Sequence, residues 1–532
     1  MTNSSMLVGG DAPDRIGLSN MRSPVNVYSN AARWLVASVL ICISFHQTSA
    51  EPLAAEDRTR ISIFGYDPNR PEDIRNQVLI ELMRAEPAID VQEWGGIKLP
   101  GTSGRATLMM AIAGGTAPDM YLSWFHIIRN DIKQGFLYPL NEWIGNDVDG
   151  NGWIDGTEAK WDGWKQIPRL WQQVSCVDGK AYGVPLPNIT FYGIIYRRDL
   201  VQEAGLDPEQ PPGTWDEFLY WCQKLTIPGK TIDGARLRRG QRAIALYVPA
   251  WQWLPWMQAA GGSPVVQVRK SAVTGKEYVF RMEETEFIAQ DTGEDLGGQP
   301  STWRANFDAP EGLKAARFYH ALRWTPWIRD PSTGEPINLS EEDTAAGFVR
   351  SGTRLVRFAE DDVIRGVGRP CVGLDANDQR LFARGEVAMI QYSIDDLERC
   401  VQMAGVPPDL IAMMPFPAAD SSQTPVFSAY RHYWVMTRDV AARSKVERDR
   451  IWKCLETLTS DSLRDREIVE KVMAGNAMWC RPDDLERLGL DDYLAEVPQN
   501  VKTYYDMIGS GRILLRTEPF AGFWEAAQTV PM

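Results

Sequence analysis

The stretch RISIFGY at residues 60–66 opens an alternation of strand and helix patterns that decides the fold. Its alternating apolar residues are typical of a β-strand, and residues 72–85 follow with apolar side chains at helical spacing. Strand-like segments at 89–94 and 118–124 then flank a helix-like segment at 105–113. Strands that alternate with helices predict a mainly parallel sheet, so we expect an α/β fold.

Aromatic residues stand where these predicted strands end. Tyr66, Trp94 and Trp124 follow the three strands in turn, and ligands on parallel sheets bind beyond the carboxyl ends of the strands. An aromatic face suits a sugar, because the ring stacks on the apolar face of the sugar while nearby polar groups meet the hydroxyls. The alternative is that each ring is buried between sheet and helix.

Length and charge restrict the class of protein. With 532 residues, 44% hydrophobic and 24% charged, the chain is too long for one core, so we expect two or more lobes. The net charge is −14, and the 56 Lys and Arg residues are scattered rather than gathered into a basic stripe. The sequence therefore predicts no nucleic-acid partner.

The N-terminal segment predicts export. Residues 34–45, WLVASVLICISF, form an apolar run too short to span a bilayer, and small residues precede Ala50. We expect residues 1–50 to be a signal peptide cut near Ala50, with Met21 as an alternative start. The rival interpretation is an uncleaved N-terminal anchor. Either way, we expect the protein to be periplasmic or otherwise extracytoplasmic.

Residues 147–158, DVDGNGWIDGTE, match the twelve-residue calcium loop of the EF-hand. Oxygen donors stand at loop positions one, three and five, with glycine at six for the sharp turn, an acid at nine and glutamate at twelve. The predicted ligands are Asp147, Asp149, Asn151, the Trp153 carbonyl, Asp155 and Glu158. Because only one such loop is present, we expect a structural Ca²⁺ rather than a switch. The alternative is an acidic, glycine-rich surface loop without an ion.

Several short motifs, taken in order, resemble the family of extracellular solute-binding proteins that includes the maltose-binding and alginate-binding receptors of ABC importers. The motifs are GTAPD at 115–119, GFLYPL at 135–140, DGKAYGVP at 178–185, YRRDL at 196–200, AGL at 204–206, GTWDEF at 213–218 and FARGEVAM at 382–389. Each is weak alone, and their ordered combination carries the resemblance.

The resemblance implies a two-lobed periplasmic-binding-protein fold, in which crossover strands join two α/β lobes that close on a ligand by hinge motion. The implied lobes are 51–185 with 415–475, and 186–414 with 476–532, the second having polar insertions near 264–302 and 330–378. Crossings are expected near residues 185–188, 413–417 and 475. We expect the insertion at 264–302 to form a surface hairpin with a loop, and the insertion at 330–378 to have little regular structure.

The resemblance also implies further ligand contacts. Trp251 and Trp524 fall where the family often has stacking aromatics, and Tyr392 with Ser393 follows a strand at a ligand-facing position. Relatives that bind acidic oligosaccharides are similar in carrying a calcium loop in the first lobe, which favours a sugar or oligosaccharide ligand. The implied protein partner is the membrane permease of an ABC importer, and we expect a monomeric receptor.

The rival class is a secreted carbohydrate-active hydrolase or lyase. Such an enzyme needs suitably spaced carboxylates, and acids are abundant in this chain. The sequence shows no nucleophile elbow, phosphate loop or histidine cluster for metal binding, and only four histidines are present. We therefore predict a binding protein with no catalytic residues. A receptor that serves a sensor instead of an importer is a third possibility.

Overall fold

The computed structural model describes most of the chain beyond residue 57. Described are residues 58–516 except 97–103, 151, 227–229, 233–234, 239–240, 248–252, 282–283, 285, 300, 325–327, 330–335, 338–347, 352–353, 358–367, 372–375 and 394–405. Among the predicted site residues, Asn151, Trp251 and Trp524 lie outside this part of the chain. The signal-peptide prediction also concerns residues outside it.

Strands and helices alternate through the first part of the chain, as predicted. The strands are β1 (Thr59–Ile63), β2 (Ile89–Glu93), β3 (Met120–Trp124), β4 (Cys176–Val177), β5 (Lys180–Ala181), β6 (Gly183–Pro185), β7 (Thr190–Arg197), β8 (Lys230–Ile232), β9 (Ala235–Arg238), β10 (Arg242–Tyr247), β11 (Val265–Lys270), β12 (Glu277–Arg281), β13 (Ser301–Ala305), β14 (Ile328–Arg329), β15 (Pro336–Ile337), β16 (Phe348–Ser351), β17 (Arg354–Arg357), β18 (Gly368–Cys371), β19 (Val387–Ser393), β20 (Ile411–Met414), β21 (Val426–Tyr430), β22 (His432–Met436) and β23 (Leu514–Arg516).

The α-helices are α1 (Ile74–Ala85), α2 (Gly104–Ala113), α3 (Phe125–Lys133), α4 (Asn141–Ile144), α5 (Asp162–Lys165), α6 (Arg169–Ser175), α7 (Arg198–Glu203), α8 (Trp215–Leu225), α9 (Leu254–Ala259), α10 (Pro310–Trp324), α11 (Ala376–Ala383), α12 (Lys445–Leu458), α13 (Asp461–Met473), α14 (Pro482–Arg487) and α15 (Gln499–Gly509). Short 3₁₀ helices lie at Pro408–Leu410, Arg438–Ala442, Ala477–Trp479 and Asp491–Glu496. Helix α8 begins with the predicted capping box, in which Thr214 and Glu217 bond each other's backbone N–H groups.

The first lobe is built on a five-stranded sheet in the order β2-β1-β3-β22-β6. Strands β1, β2 and β3 are parallel, and β22 joins β3 in the antiparallel direction. Apolar side chains are buried on both faces: one core includes Ile61 and Ile63 of β1, and the other includes Tyr121 of β3. Helices cover both faces, which is the arrangement that buries a parallel sheet.

The second lobe is built on a seven-stranded sheet, in which the path β18-β10-β19-β7-β21-β23 is completed by β20 paired with β7. Strand β19 is buried along its whole length and runs antiparallel to β7, with Ser393 opposite Tyr192. Its core is the largest in the described chain and includes Trp253 and Trp256, each at most 2% exposed. The two sheets with their helices give the predicted two-lobed α/β architecture.

The chain passes between the two sheets more than once. It leaves the first sheet between β6 and β7, returns between Tyr430 and His432, and passes again after α13 toward β23 in the second sheet. The return lies later than the predicted crossing near 413–417. The reason is that β20 and β21 both pair with β7, so residues 411–430 still belong to the second lobe.

The first predicted insertion contains the expected hairpin, β11 with β12, whereas the second contains more regular structure than the sequence indicates. In the first, β12, β11 and β13 form a three-stranded antiparallel sheet. In the second, β16 and β17 form a hairpin, and β18 pairs in parallel with β10 at the edge of the main sheet. The expectation of little regular structure near 330–378 is therefore wrong for β18. The polar residues on either side of this short strand make its pattern hard to recognise in the sequence.

Candidate ligand-binding site

Five aromatic side chains meet where the chain crosses from the second sheet to the first. We call them the aromatic cluster: Trp124, Phe125, His126, Tyr430 and His432. Strand β3 ends at Trp124 and helix α3 begins at Phe125, so three consecutive residues turn around the carboxyl end of the strand. Tyr430 ends β21 and His432 begins β22, so the cluster takes residues from both sheets.

The rings of the cluster contact one another. Trp124 lies 5.4 Å from His126 and 5.4 Å from His432, measured between ring centroids. Phe125 stacks on Tyr430 at 5.0 Å with an interplanar angle of 18°. Trp124 is nevertheless 54% exposed, so much of its ring faces outward. An exposed indole held by neighbouring rings at a parallel-sheet carboxyl edge is a surface on which a sugar can stack.

Buried polar groups stabilise the strand beneath Trp124. Asp131 of α3 is fully buried and accepts hydrogen bonds from the Tyr121 hydroxyl at 2.7 Å and from Arg105 Nη1 at 3.1 Å. The Ser123 hydroxyl donates to the same carboxylate at 3.4 Å. These bonds join α2, β3 and α3, and they neutralise the charge of Arg105.

The imidazole of His126 is kept neutral. Burial, followed by the positive charges of His432 and Arg105, lowers the pKa of His126 to about 4. A neutral imidazole offers one hydrogen-bond donor and one acceptor. At His126 the cluster therefore places uncharged polar atoms beside apolar ring faces, a combination that suits a neutral sugar.

The other predicted ligand residues that the structure describes lie outside this cluster. Tyr66 is 5% exposed and belongs to the core of the first sheet, so it does not line an open surface. Trp94 is half-buried: its indole N–H donates to the Thr116 carbonyl at 3.1 Å, and its ring packs edge-on against Phe64.

Tyr392 and Ser393 lie at the carboxyl end of β19, 4% and 2% exposed. That end points toward the crossing, because Ser393 pairs with Tyr192 and Thr190 pairs with Tyr430. Both residues are therefore near the predicted cleft but covered. Of the predicted ligand residues that the structure describes, only Trp124 lies in the aromatic cluster.

The sequence does not predict the other four residues of the aromatic cluster. Two of the four histidines in the chain, His126 and His432, stand beside aromatic residues, which is a signal for such a cluster. The signal indicates a site only when the chain crosses between the sheets at Tyr430, whereas the sequence predicts the crossing near 413–417.

The predicted calcium loop brings three carboxylates together. Single oxygen atoms of Asp147, Asp149 and Glu158 lie within 4.8 Å of one another. Glu158 also accepts backbone N–H bonds from Val148 at 2.6 Å and from Asp149 at 3.1 Å, which hold it against the start of the loop. Three like charges at this spacing repel one another, so the arrangement fits a hard divalent cation.

Other features shape the calcium loop. Gly150 and Gly152 have φ values of 74° and 91°, as the sharp turn requires. The N–H groups of both glycines donate to the Asp147 carboxylate at 2.8 Å. Asp155 is outside the carboxylate group, because its Oδ1 accepts from the Thr157 N–H and hydroxyl at 2.7 Å. Position nine of such loops often reaches the ion through water.

Residues 76–324 match the family model for the bacterial extracellular solute-binding protein. This match confirms the resemblance inferred from the sequence motifs. All the motifs except the last, at 382–389, fall inside the matched segment.

Curated relatives match over a short segment. The sn-glycerol-3-phosphate-binding periplasmic protein UgpB is 33% identical in Shigella dysenteriae and 35% in Salmonella typhimurium, in each case over 69 residues. That segment is 13% of this chain and spans 16% of the relatives' own length.

Solved structures with the same fold match over most of the chain. A tagatose-bound ABC transporter solute-binding protein from Thermotoga lettingae has a TM-score of 0.50 at 17% identity, covering 88% of this chain and 92% of that one. The cyclic α-maltosyl-1,6-maltose binding protein of Arthrobacter globiformis has 0.51 at 15%, covering 88% and 91%. UgpB of Mycobacterium tuberculosis, bound to glycerophosphocholine, has 0.51 at 14%, covering 88% and 91%.

The chain has the two-lobed fold of the periplasmic binding proteins. Residues 76–324 are similar in sequence to the bacterial extracellular solute-binding proteins.

Proposed function

We propose that the chain is the extracytoplasmic receptor of an ABC importer and that it captures a sugar or oligosaccharide between its lobes. The observation that carries this proposal is the aromatic cluster, in which exposed Trp124 stands at the crossing of the two sheets. Relatives named as solute-binding proteins support it. The membrane partner is then an importer permease.

The proposed mechanism is capture followed by closure. A ligand stacks on Trp124 in the open form, and closure of the second lobe completes the enclosure. The ligand shifts the population toward the closed form only by as much as it binds that form more tightly. No chemistry is proposed, and ligand leaves the receptor unchanged.

The charge of the site favours a neutral ligand. Arg105 is paired with buried Asp131. The pKa of His126 is lowered to about 4, so this side chain is neutral above that pH. The Arg105 guanidinium is therefore not available to a phosphate ester, and Arg431, between Tyr430 and His432, packs over the ring of Trp171. We therefore expect oligosaccharides to bind more tightly than sn-glycerol 3-phosphate or glycerophosphocholine, the ligands in the names of two relatives.

A melting-shift screen of the mature protein tests the proposal. The panel contains maltose-type oligosaccharides, tagatose, acidic oligosaccharides, sn-glycerol 3-phosphate and glycerophosphocholine. A sugar that raises the melting temperature, is recovered intact and reduces the radius of gyration in solution scattering supports the receptor. Turnover of the sugar supports the hydrolase or lyase instead. A larger shift with a phosphate ester than with any sugar contradicts the neutral-ligand assignment.

We also propose that residues 147–158 bind a structural Ca²⁺. Asp147, Asp149 and Glu158 would supply the carboxylate oxygens. The loop is joined to the protein body, since Ile154 is fully buried and its carbonyl accepts from Trp164 Nε1 at 2.9 Å. An ion here would brace the region that leads into α6 and the β4–β5 hairpin.

Export is part of the same proposal. The family of solute-binding proteins acts outside the cytoplasm, and residues 1–50 have the pattern of a signal peptide. Within the part of the chain that is described, no helix has the length and apolar character needed to cross a bilayer. Mass spectrometry of the secreted protein tests for a mature N-terminus near residue 51.

A further inference from the structure

The second lobe contains a pocket far from the aromatic cluster. Its volume is about 780 Å³, and it lies between the start of α15, the segment around Gly213 and the beginning of β20. Arg198, which lines it, follows the last residue of β7, whereas the first residue of β7 pairs with Tyr430 of the cluster. Seven strand steps, about 23 Å, therefore separate pocket and cluster.

Helix α15 presents its N-terminus to this pocket. The helix has eleven residues and begins after Pro498, which provides no side-chain cap. The first N–H groups of a helix have no acceptor within it and carry partial positive charge. Pro498, Gln499 and Asn500 all line the pocket, so these donors lie at its wall.

Two buried polar side chains lie at the same wall. Tyr504 is 8% exposed and Asn500 is 5% exposed. Neither the Tyr504 hydroxyl nor the Asn500 amide completes a hydrogen bond with any described residue. The Asn500 amide lies close to the Tyr196 hydroxyl, whose oxygen can accept from it while its hydrogen is donated to the Pro208 carbonyl at 2.6 Å, so the Tyr504 hydroxyl is the clearer case of a group without a partner. A buried polar group without a partner costs folding free energy. A ligand that supplied the missing hydrogen bonds would recover that free energy.

The charges around the pocket select against anions. Asp409 and Glu496 are exposed at its rim, and the charge of Arg198 is engaged by Glu209. A negatively charged ligand would therefore be repelled, although the inner wall offers donors. A carboxamide satisfies both conditions, because its carbonyl accepts from the wall and its N–H groups donate toward the acids. Apolar wall residues such as Met507 suit an apolar body.

We propose that this pocket, formed by the uncapped start of α15 with Asn500 and Tyr504, is a second ligand site that binds small uncharged carboxamides. It is separate from the proposed sugar site and does not depend on that assignment. Its size is in the usual range for small-molecule sites.

The test uses benzamide as the probe and the mature full chain. Saturation-transfer NMR and titration compare wild type with Tyr504→Phe, which keeps the ring and removes only the hydroxyl. We expect the dissociation constant for benzamide to rise roughly three- to tenfold in this variant, as for the loss of one hydrogen bond. Tyr220→Phe, at a half-exposed tyrosine of α8, is the matched control and leaves the constant unchanged.

Two further arms make the outcome decisive. Benzoate, the anionic analogue, is expected to give little or no saturation transfer. Trp124→Ala is expected to leave benzamide binding intact, which separates this pocket from the cluster. Because Tyr504→Phe removes an unpartnered hydroxyl, its melting temperature without ligand should equal or exceed that of wild type. Absence of benzamide binding, equal binding by Tyr504→Phe and wild type, or equal binding of benzoate overturns the proposal.

Discussion

Trp124 and His432 occupy opposite positions in the register of two antiparallel strands, and their ring centroids are 5.4 Å apart. The two residues are more than 300 positions apart in the sequence. Because of this pairing, the exposed indole of Trp124 lies beside the start of β22, where the chain returns to the first lobe. If a ligand stacks on Trp124 as proposed, it lies beside the connection between the two sheets, where the proposed lobe closure would affect binding.

Replacing Trp124 with alanine should weaken sugar binding without unfolding the protein. Loss of one stacking face is expected to reduce affinity by about tenfold, and the melting temperature should change little because the side chain is 54% exposed. Calorimetric titration with the best sugar of the screen measures the effect. Tyr220→Ala, at 50% exposure, is the matched control. Unchanged affinity in Trp124→Ala would remove the cluster from the binding site.

Calcium should stabilise the wild-type protein but not Glu158→Gln. The substitution removes the carboxylate that closes the ligand group with Asp147 and Asp149. At a calcium concentration one hundred times the dissociation constant, the expected stabilisation is about 2.7 kcal/mol. Thermal unfolding in calcium and in chelator provides the measurement. Asp162→Asn, an exposed acid outside the loop, should behave like wild type. If the wild-type melting temperature is the same with and without chelator, the proposed structural role of Ca²⁺ is contradicted.

Acid should destabilise the protein partly through His126. Burial lowers its pKa to about 4 in the folded state, below the ordinary value of 6.5. Between these values the unfolded chain binds a proton that the folded chain does not, so stability falls as the pH drops from about 6.5 to about 4. Above this window the group contributes no pH dependence.

Denaturant unfolding of wild type and His126→Gln across that range tests the assignment. The difference in unfolding free energy between the two proteins should decrease toward low pH, because the glutamine does not titrate. A constant difference from pH 7 to pH 4 would show that His126 protonates equally well in both states.

Asp131→Asn should destabilise the first lobe strongly. The carboxylate is fully buried and accepts from Arg105 and Tyr121, so its loss leaves a guanidinium without its counter-charge. The expected cost is about 3 kcal/mol. Tyr121→Phe removes only one hydrogen bond and should cost about 1 kcal/mol. Chemical denaturation measures the free energy of unfolding of both variants. A larger decrease for Tyr121→Phe than for Asp131→Asn would show that the ion pair contributes little.

Local patterns in the sequence were sufficient for much of the fold. Apolar periodicity predicted β1, α1 and β2, and the capping box located the start of α8. Spacing alone was sufficient to predict that the acidic residues of loop 147–158 lie together, because they are neighbours in the chain, and the carboxylates of Asp147, Asp149 and Glu158 do converge. That the loop binds calcium stays a prediction.

Features that depend on distant pairing were harder to predict. Strand β21 was assigned to the wrong lobe, since its partner β7 precedes it by more than 200 residues and no local pattern records that choice. The aromatic cluster was missed for the same reason. Tyr66 ends a predicted strand but folds back into the core, which periodicity does not distinguish from exposure at a loop tip.

The position of β22 has a consequence for how the chain folds. This strand lies between β3 and β6 in the five-stranded sheet, yet it is synthesised after the whole sheet of the second lobe except β23. The first sheet therefore cannot be completed until β22 has been synthesised, and the pairing of β3 with β22 closes a loop of some three hundred residues. If the protein is exported as proposed, this late pairing would favour passage of the chain across the membrane before the first lobe is complete.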